Sequence, residues 1–404
     1  MVVAGLAMST AGWSQAARPD PRPPGVDVGL DLASRLERAR SLPARLERCQ
    51  ALVDGLVAAG LPGASAAVVL PDGSLHTFVA GQTRREDGRP LTPADRMLVG
   101  STGKTFVTAV AHRLLADGLL ELDTPIAELY ADEPHPPAWL DTLPHARAFT
   151  LRQLLRHETG LARYVYVEAF SRTLVAEPDR VWRPEELVAF VADAPPLFAP
   201  GAGWAYSDTN YLIVGMLIEH VTGRPFYALA QEWFVEPLAL EGTVPTDRRT
   251  VPGLVQGEVV GGRALGVGEW LLADGQATYN LQFEWCGGGW ASTPADLARW
   301  AAALYGGGAL DDEGAYLETL LDAVDAPGLW PGTRYGLGVM LRESAGGPMQ
   351  FHDGFMPGHL TTLAWFPELG VGAALQVNTD DASSLGRPRF AVLAELAKAA
   401  VTEP

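Results

Sequence analysis

The chain has 404 residues, of which 48% are hydrophobic and 8% aromatic. It is therefore long enough and apolar enough to bury a sizeable core as one large or two intimately packed domains, which excludes a disordered protein. Thirty basic against forty-eight acidic side chains give a net charge of -18, which repels a polyanionic backbone and excludes nucleic acid as a partner.

Residues 1–27 run from apolar through small to Pro/Arg-rich, and Ser14-Gln15-Ala16 suits signal-peptidase cleavage, although a charged leader region is missing. They read as a truncated signal or a flexible tail. The first reading places the protein in a bacterial periplasm or outside the cell, the second in the cytoplasm. No segment approaches the roughly 20 uninterrupted apolar residues of a membrane span.

Apolar residues at helical spacing predict a helix from about Leu30 to Ala59, broken near Pro43. Two β-rich runs, Ala64 to Leu70 and Ser74 to Val79, flank Pro71-Asp72-Gly73 and read as a hairpin. Helical periodicity and Pro-bearing loops fill residues 99–284. "PMQFHDGFMPGHLTTLAWFPELGVGAALQVN" returns to strands, with Pro367-Glu368-Leu369-Gly370 as a turn, and "RPRFAVLAELAKAAV" closes as an amphipathic helix. The expected fold is α/β (α+β): an antiparallel sheet domain from residues 28–98 and 285–404, flanked by terminal helices, with a mostly helical domain, 99–284, inserted.

"VGSTGKTF" (Val99 to Phe106) can be read as a phosphate loop or as a nucleophile with its base. A phosphate loop needs a glycine six residues before Lys104, where Leu98 stands, and a buried strand before the loop, where "REDGRPLTPADRM" is charged and Pro-broken. The nucleotide reading fails on both. Phe106, Val107, Val110, Ala111, Leu114 and Leu115 follow helical spacing, so Ser101 sits at a helix start and shares a face with Lys104. Ser-x-x-Lys alone is a weak signal, because a serine there is often only a cap. Composition sharpens it: the chain has two lysines, Lys104 and Lys398, against twenty-eight arginines. An amine can lose its proton where a guanidinium cannot, and a base must be deprotonatable.

Two further stretches supply partners. Tyr206-Ser207-Asp208 lies in a loop before an apolar helix, and Tyr206 could relay a proton if a neighbouring cation lowered its pKa. His352-Asp353-Gly354 lies on an expected strand, where Gly354 would let a substrate backbone come close and the next amide point into the site.

With these motifs in order, the chain resembles the serine β-lactamase-related hydrolases, nearest the class C β-lactamases, the D-Ala-D-Ala carboxypeptidases and the esterases of that fold. The resemblance runs from about residue 50 to 380 through "LPGASAAVV", "VGSTGKTFVTAV", "FTLRQLLRHETGL", "YSDTNYLIVGMLIEHVTG", "PLALEGT", "CGGGWASTPADLARW" and "HDGFMPGHLTTLAWFPELGVG". It implies that Ser101 is acylated, that Lys104 helps to deprotonate it and that Tyr206 passes protons to the leaving group. The backbone amides of Ser101 and Phe355 would form the oxyanion hole, and His352 would contact the acyl or carboxylate end of the substrate. Water would complete the cycle with no metal or organic cofactor.

The chain departs from that pattern twice. Asp208 stands where the family usually has Asn. Ionised, it only accepts hydrogen bonds, and pairing with Lys104 would raise the lysine's pKa and oppose its use as a base. His352 stands where class C β-lactamases carry Lys, and a neutral imidazole holds a carboxylate less firmly than an ammonium. Both point from lactam hydrolysis toward an esterase or peptidase. If His352 must be protonated to hold an acidic substrate, activity should decline above about pH 6.5.

Other residues carry plainer expectations. His157-Glu158-Thr159-Gly160 reads as a structural turn whose histidine serves a helix dipole. Gly287, Gly288 and Gly289 read as a turn into the helix that begins at Ser292 to Asp296. Glu219-His220 lacks a second histidine at metal spacing. Cys49 and Cys286, with no CxxC or Cys/His spacing, read as buried thiols. The expected function is a serine hydrolase acting through an acyl-enzyme on ester, amide or D-amino-acid peptide substrates. The alternatives are a class C-like β-lactamase and a non-catalytic penicillin-binding-like protein. Pocket walls are expected from residues 161–185 and 243–285; the sequence does not give the oligomeric state.

Overall fold

The computed structural model describes residues 32–310 and 314–403, with side chains from residue 41; the expected signal or tail falls outside them. The strand runs of the two chain ends meet in one eight-stranded antiparallel sheet. Its order is Leu75–Gly81, Gly63–Val69, Val371–Val377, His359–Phe366, Gly347–Met356, Met340–Ser344, Arg334–Tyr335, Val324–Asp325. The Gly63–Val69 strand pairs with Val371–Val377, Ala64 opposite Val377 and Val69 opposite Gly372, so the first and last strands of the sequence are neighbours.

Both sheet faces are covered, and side-chain alternation divides the core accordingly. Ala64, Ala66 and Val68 join Phe390, Leu393 and Leu396 beneath the terminal helices, while Ala67 and Val69 join Leu297, Trp300 and Ala301 of the Pro294–Tyr305 helix. Thr293 caps that helix, accepting from Asp296 N at 3.3 Å, as the sequence leads one to expect. The terminal helices Leu32–Ala58 and Arg389–Val401 pack together, with Arg45 Nη1 donating to Ala400 O at 3.1 Å.

The predicted break near Pro43 does not occur: the Leu32–Ala58 helix runs through it. A proline removes one backbone donor and crowds one turn, and the packing of Cys49, Val53 and Leu56 into the sheet, with Arg45 and Arg48 bonded to the last helix, outweighs that local cost.

A short sheet carries the Ser101 segment. Met97–Leu98 pairs with Trp290–Ser292, which also pairs with Val244–Pro245. Leu98 N donates to His359 Nδ1 at 3.2 Å, and Thr361 Oγ1 donates to Leu98 O at 3.0 Å, so this segment is moored to the large sheet just before its serine. The chain then makes a turn of 3₁₀ helix, Gly100–Gly103, and enters the Lys104–Ala116 helix. That helix packs against the Asp208–Thr222 helix, and its Phe106 stacks on Trp300 with ring centres 4.3 Å apart.

Candidate active site

Ser101 is partly exposed on its 3₁₀ turn, and Lys104, one turn on, is fully buried beneath it. Lys104 Nζ donates to Ser101 Oγ at 3.1 Å, to Asp208 Oδ1 at 2.6 Å and to Gly287 O at 2.5 Å. An ammonium has three donors, and all three are used here. Burial disfavours the charge, yet Asp208 and then the Tyr206 and Glu284 side chains outweigh it and hold Lys104 above the usual lysine range. The resting amine is therefore protonated, and the free base named from the sequence is not its ground state. Pairing with Asp208 is present.

Asp208 has a second cation that sequence reasoning missed. Arg163 donates to Asp208 Oδ2 from Nε at 3.0 Å and from Nη2 at 2.7 Å. Burial pushes the Asp208 carboxyl up, but Arg163 and Lys104 together bring it well below the usual carboxylate range. Nothing in "HETGLARYVY" sets this arginine apart from the other twenty-seven.

Tyr206 completes the cluster. Lys104 Nζ lies 5.1 Å and the Arg163 guanidinium carbon 5.2 Å from its ring centre. Its hydroxyl is buried without a well-formed hydrogen bond, although Ser101 lies near enough to act on it. The lowered pKa expected from a neighbouring cation is not found: burial raises the phenol and outweighs the opposing effect of Lys104.

Behind Tyr206 runs a chain of neutral histidines. His352 Nδ1 donates to Asp353 O at 2.8 Å, which leaves Nε2 to accept from the Tyr335 hydroxyl at 2.9 Å. Tyr335 in turn accepts from His157 Nε2 at 3.3 Å, and His157 Nδ1 accepts from Ser207 N at 3.3 Å and Asn210 Nδ2 at 3.2 Å. The His157 ring packs 4.1 Å from that of Tyr206, so this chain sets where the phenol stands. Burial, with Lys104 adding to it, depresses His352 to about 3 and His157 well below its ordinary value. His352 is thus neutral across the working pH range, and the expected loss of activity above pH 6.5 through its deprotonation does not follow. His157 is structural as expected, but as a buried neutral acceptor at φ +62° rather than a charge on a helix end.

The glycines are spent on the protein's own backbone. A Cβ on Gly354 would run into Val99 O, so the close approach expected for a substrate is made by the segment leading to Ser101. A Cβ on Gly288, at φ +154°, would run into Gly100 O; Gly288 packs against the serine turn, and the Gly287 carbonyl holds Lys104. Phe355, next to Gly354, is 45% exposed.

Glu284 also escaped the sequence analysis. Its Oε2 and the Asp208 Cβ lie 3.0 and 3.9 Å from where a Cβ on Gly287 would stand. Burial and the Asp208 charge push its carboxyl up to about 7. The signal was present: one acid inside the apolar run "LQFEWCGGGW".

The β-lactamase family model matches residues 49–398. The chain belongs to that family. A penicillin-binding protein 4 from Amycolatopsis lactamdurans is 26% identical over 352 residues, 83% of this chain and 86% of its own. Esterase EstB of Burkholderia gladioli is 31% identical over 214 residues, and the match spans 50% of this chain and 51% of the esterase. A putative D-alanyl-D-alanine carboxypeptidase of Escherichia coli O157:H7 is likewise matched over only 47% of its length. Among solved structures, D-amino acid amidase from Ochrobactrum anthropi SV3, in complex with D-phenylalanine, is 25% identical with a TM-score of 0.73, covering 88% of this chain and 99% of its own. A D-stereospecific amidohydrolase from Streptomyces sp. is 28% identical with a TM-score of 0.69, covering 84% and 96%. The antiparallel sheet with terminal helices is thus the fold of this family.

Both thiols, Cys49 and Cys286, are buried and unpaired. Among the described residues no helix is long and apolar enough to cross a membrane, and no group of His, Cys, Asp and Glu is placed to hold a metal ion.

Proposed function

We propose that the protein is a serine hydrolase that forms an acyl-enzyme at Ser101 on ester, amide or short D-amino-acid peptide substrates. The observation that carries it is a partly exposed serine whose hydroxyl is bonded to a buried ammonium, itself held by a carboxylate, beside a buried phenol on which Ser101 also acts. The esterase, carboxypeptidase and D-amino acid amidase relatives support the same chemistry.

In this reading Lys104 acts as a cation. Its N–H on Ser101 Oγ stabilises the alkoxide as it forms; burial keeps Tyr206 a phenol at rest, and the charges of Lys104 and Arg163 oppose that and favour the phenolate that forms, and reacts, as pH rises. Ser101 gives its proton to that phenolate as Oγ bonds to the substrate carbonyl carbon. Tyr206 then returns the proton to the leaving alcohol or amine as the carbonyl–heteroatom bond breaks. Water repeats the sequence against the acyl-enzyme. The backbone amides of Ser101 and Phe355 receive the developing oxyanion. Asp208 positions Lys104, Phe355 lines the acyl side, and Gly354 and His352 hold the strand and Tyr206 in place behind it. Because His352 is neutral, esters and uncharged amides fit better than carboxylate-bearing lactams.

A panel of p-nitrophenyl esters, nitrocefin and D-alanyl dipeptides tests this. Turnover of esters or dipeptides that vanishes in Ser101→Ala supports it; equal turnover by parent and variant refutes it. The composition of residues 1–27 favours an exported enzyme.

A further inference from the structure

Arg163 does more than neutralise Asp208. A guanidinium has five N–H bonds. Two go to Asp208 Oδ2 and one, from Nη1, to the Tyr166 hydroxyl at 2.8 Å, leaving two without an acceptor among the described residues. The side chain is 29% exposed, whereas its partner Asp208 is 4% exposed, so the guanidinium reaches solvent where the carboxylate does not. The guanidinium is packed between two rings. One face stacks toward Tyr166, with the guanidinium carbon 4.4 Å from the ring centre, and Tyr206 lies 5.2 Å away. Asp208 has both oxygens occupied and can donate nothing to a ligand. His352 is committed at both nitrogens, to Asp353 O and to Tyr335.

We infer that Arg163 is a substrate-binding residue, whose two uncommitted N–H groups take the acyl-side carbonyl oxygen of a substrate bearing an N-acylamino group beside the scissile bond. The inference rests on the serine-hydrolase reading for the position of the scissile bond. The Asp208–Arg163 pair divides between two side chains what one amide could do alone: the carboxylate accepts from Lys104 and the guanidinium donates to the ligand. The exposed Tyr166 ring gives that N-acyl group an apolar surface.

The test uses full-length protein in the Ser101→Ala background, so that binding is read without turnover. Two ligands are compared by calorimetry: N-acetyl-D-phenylalaninamide, which carries the acyl-side carbonyl, and 3-phenylpropanamide, which lacks it. The inference expects tighter binding of the first by about tenfold, the range of one hydrogen bond to a charged group. That preference is lost in Arg163→Gln and recovered when Asp208→Asn is added, because the new amide can donate in place of the guanidinium. An unchanged preference in Arg163→Gln, no recovery in the double variant, or no preference in the parent overturns it. Covalent labelling of Ser101 in the otherwise unaltered protein reads the hydrolase assignment separately.

Discussion

Lys104 Nζ and Asp208 Oδ1 stand 2.6 Å apart, with the lysine side chain fully buried and the aspartate nearly so. A second cation, Arg163, shares that carboxylate. Replacing Asp208 by Asn removes the anion that raises both Lys104 and Tyr206. Tyr206 then ionises, and Lys104 loses its charge, at lower pH; because Lys104 acts as a cation, the rising limb follows the Tyr206 phenolate. The rising limb of kcat/KM against pH is expected to move acid-ward by about one unit or more. The variant also leaves buried Lys104 and partly exposed Arg163 without their counter-ion, so a loss of about 3 kcal/mol in denaturant unfolding accompanies the shift. A rising limb that stays in place would show that Tyr206 is not the titrating group.

His352 is buried and neutral, depressed to about 3. It cannot supply charge to an acidic substrate at working pH. The ratio of kcat/KM for a succinyl ester to that for a butyryl ester is expected to be constant between pH 5.5 and 8. A ratio that falls through pH 6.5 would restore a charged histidine to the site.

Four histidines resist protonation in the fold: burial depresses His112 to about 4, His352 and His359 to about 3, and His157 well below its ordinary value. The unfolded chain binds these protons near pH 6.5 and the folded chain does not. Stability is therefore present above pH 6.5 and is lost as pH falls, on the order of 2 kcal/mol at pH 5 for each of His112, His352 and His359, with His157 acting in the same direction. Glu284 has the opposite sign. Its carboxyl is raised to about 7, so the folded state holds a proton that the unfolded state releases above about 4.5, and stability falls as pH rises through that window. Glu284→Gln is expected to be more stable than the parent at pH 8 by on the order of 2 kcal/mol. Urea midpoints at pH 5, 6.5 and 8 measure both effects.

Much of this fold was legible in the chain, for physical reasons. β-rich runs at both ends marked the sheet strands, and Pro71-Asp72-Gly73 and Pro367 to Gly370 marked their turns. The Ser101–Lys104 pair was legible because three residues on a helical turn set its distance. Asp208 was visible as an acid where an amide was expected, and from that its pairing with Lys104 followed. Arg163 was not legible, because its contact with Asp208 depends on how the loop after Gly160 folds back, which no local pattern encodes. The same holds for Tyr335, which lies on a strand far from His157 and His352 in the sequence yet joins them. Pro43 misled because local propensity was weighed without the packing that overrides it.

Gly354 is the contact point between the sheet and the serine turn. Gly354→Ala drives a methyl group into Val99 O and moves the strand bearing Phe355 away from Ser101. We expect a loss of about 2 kcal/mol in stability and roughly hundredfold in kcat, with KM less affected. Thermal unfolding and ester kinetics on one preparation separate the two. Parent-like kinetics would mean that the strand position does not matter for the reaction.

The central claim is that the Ser101 hydroxyl, bonded to Lys104, is the nucleophile, and intact-protein mass spectrometry after treatment with a fluorophosphonate reads it most directly. The account predicts one stoichiometric adduct, localised by peptide mapping to Ser101 and absent from Ser101→Ala. A folded parent protein that remains unlabelled, or one that is labelled at another residue, would contradict it.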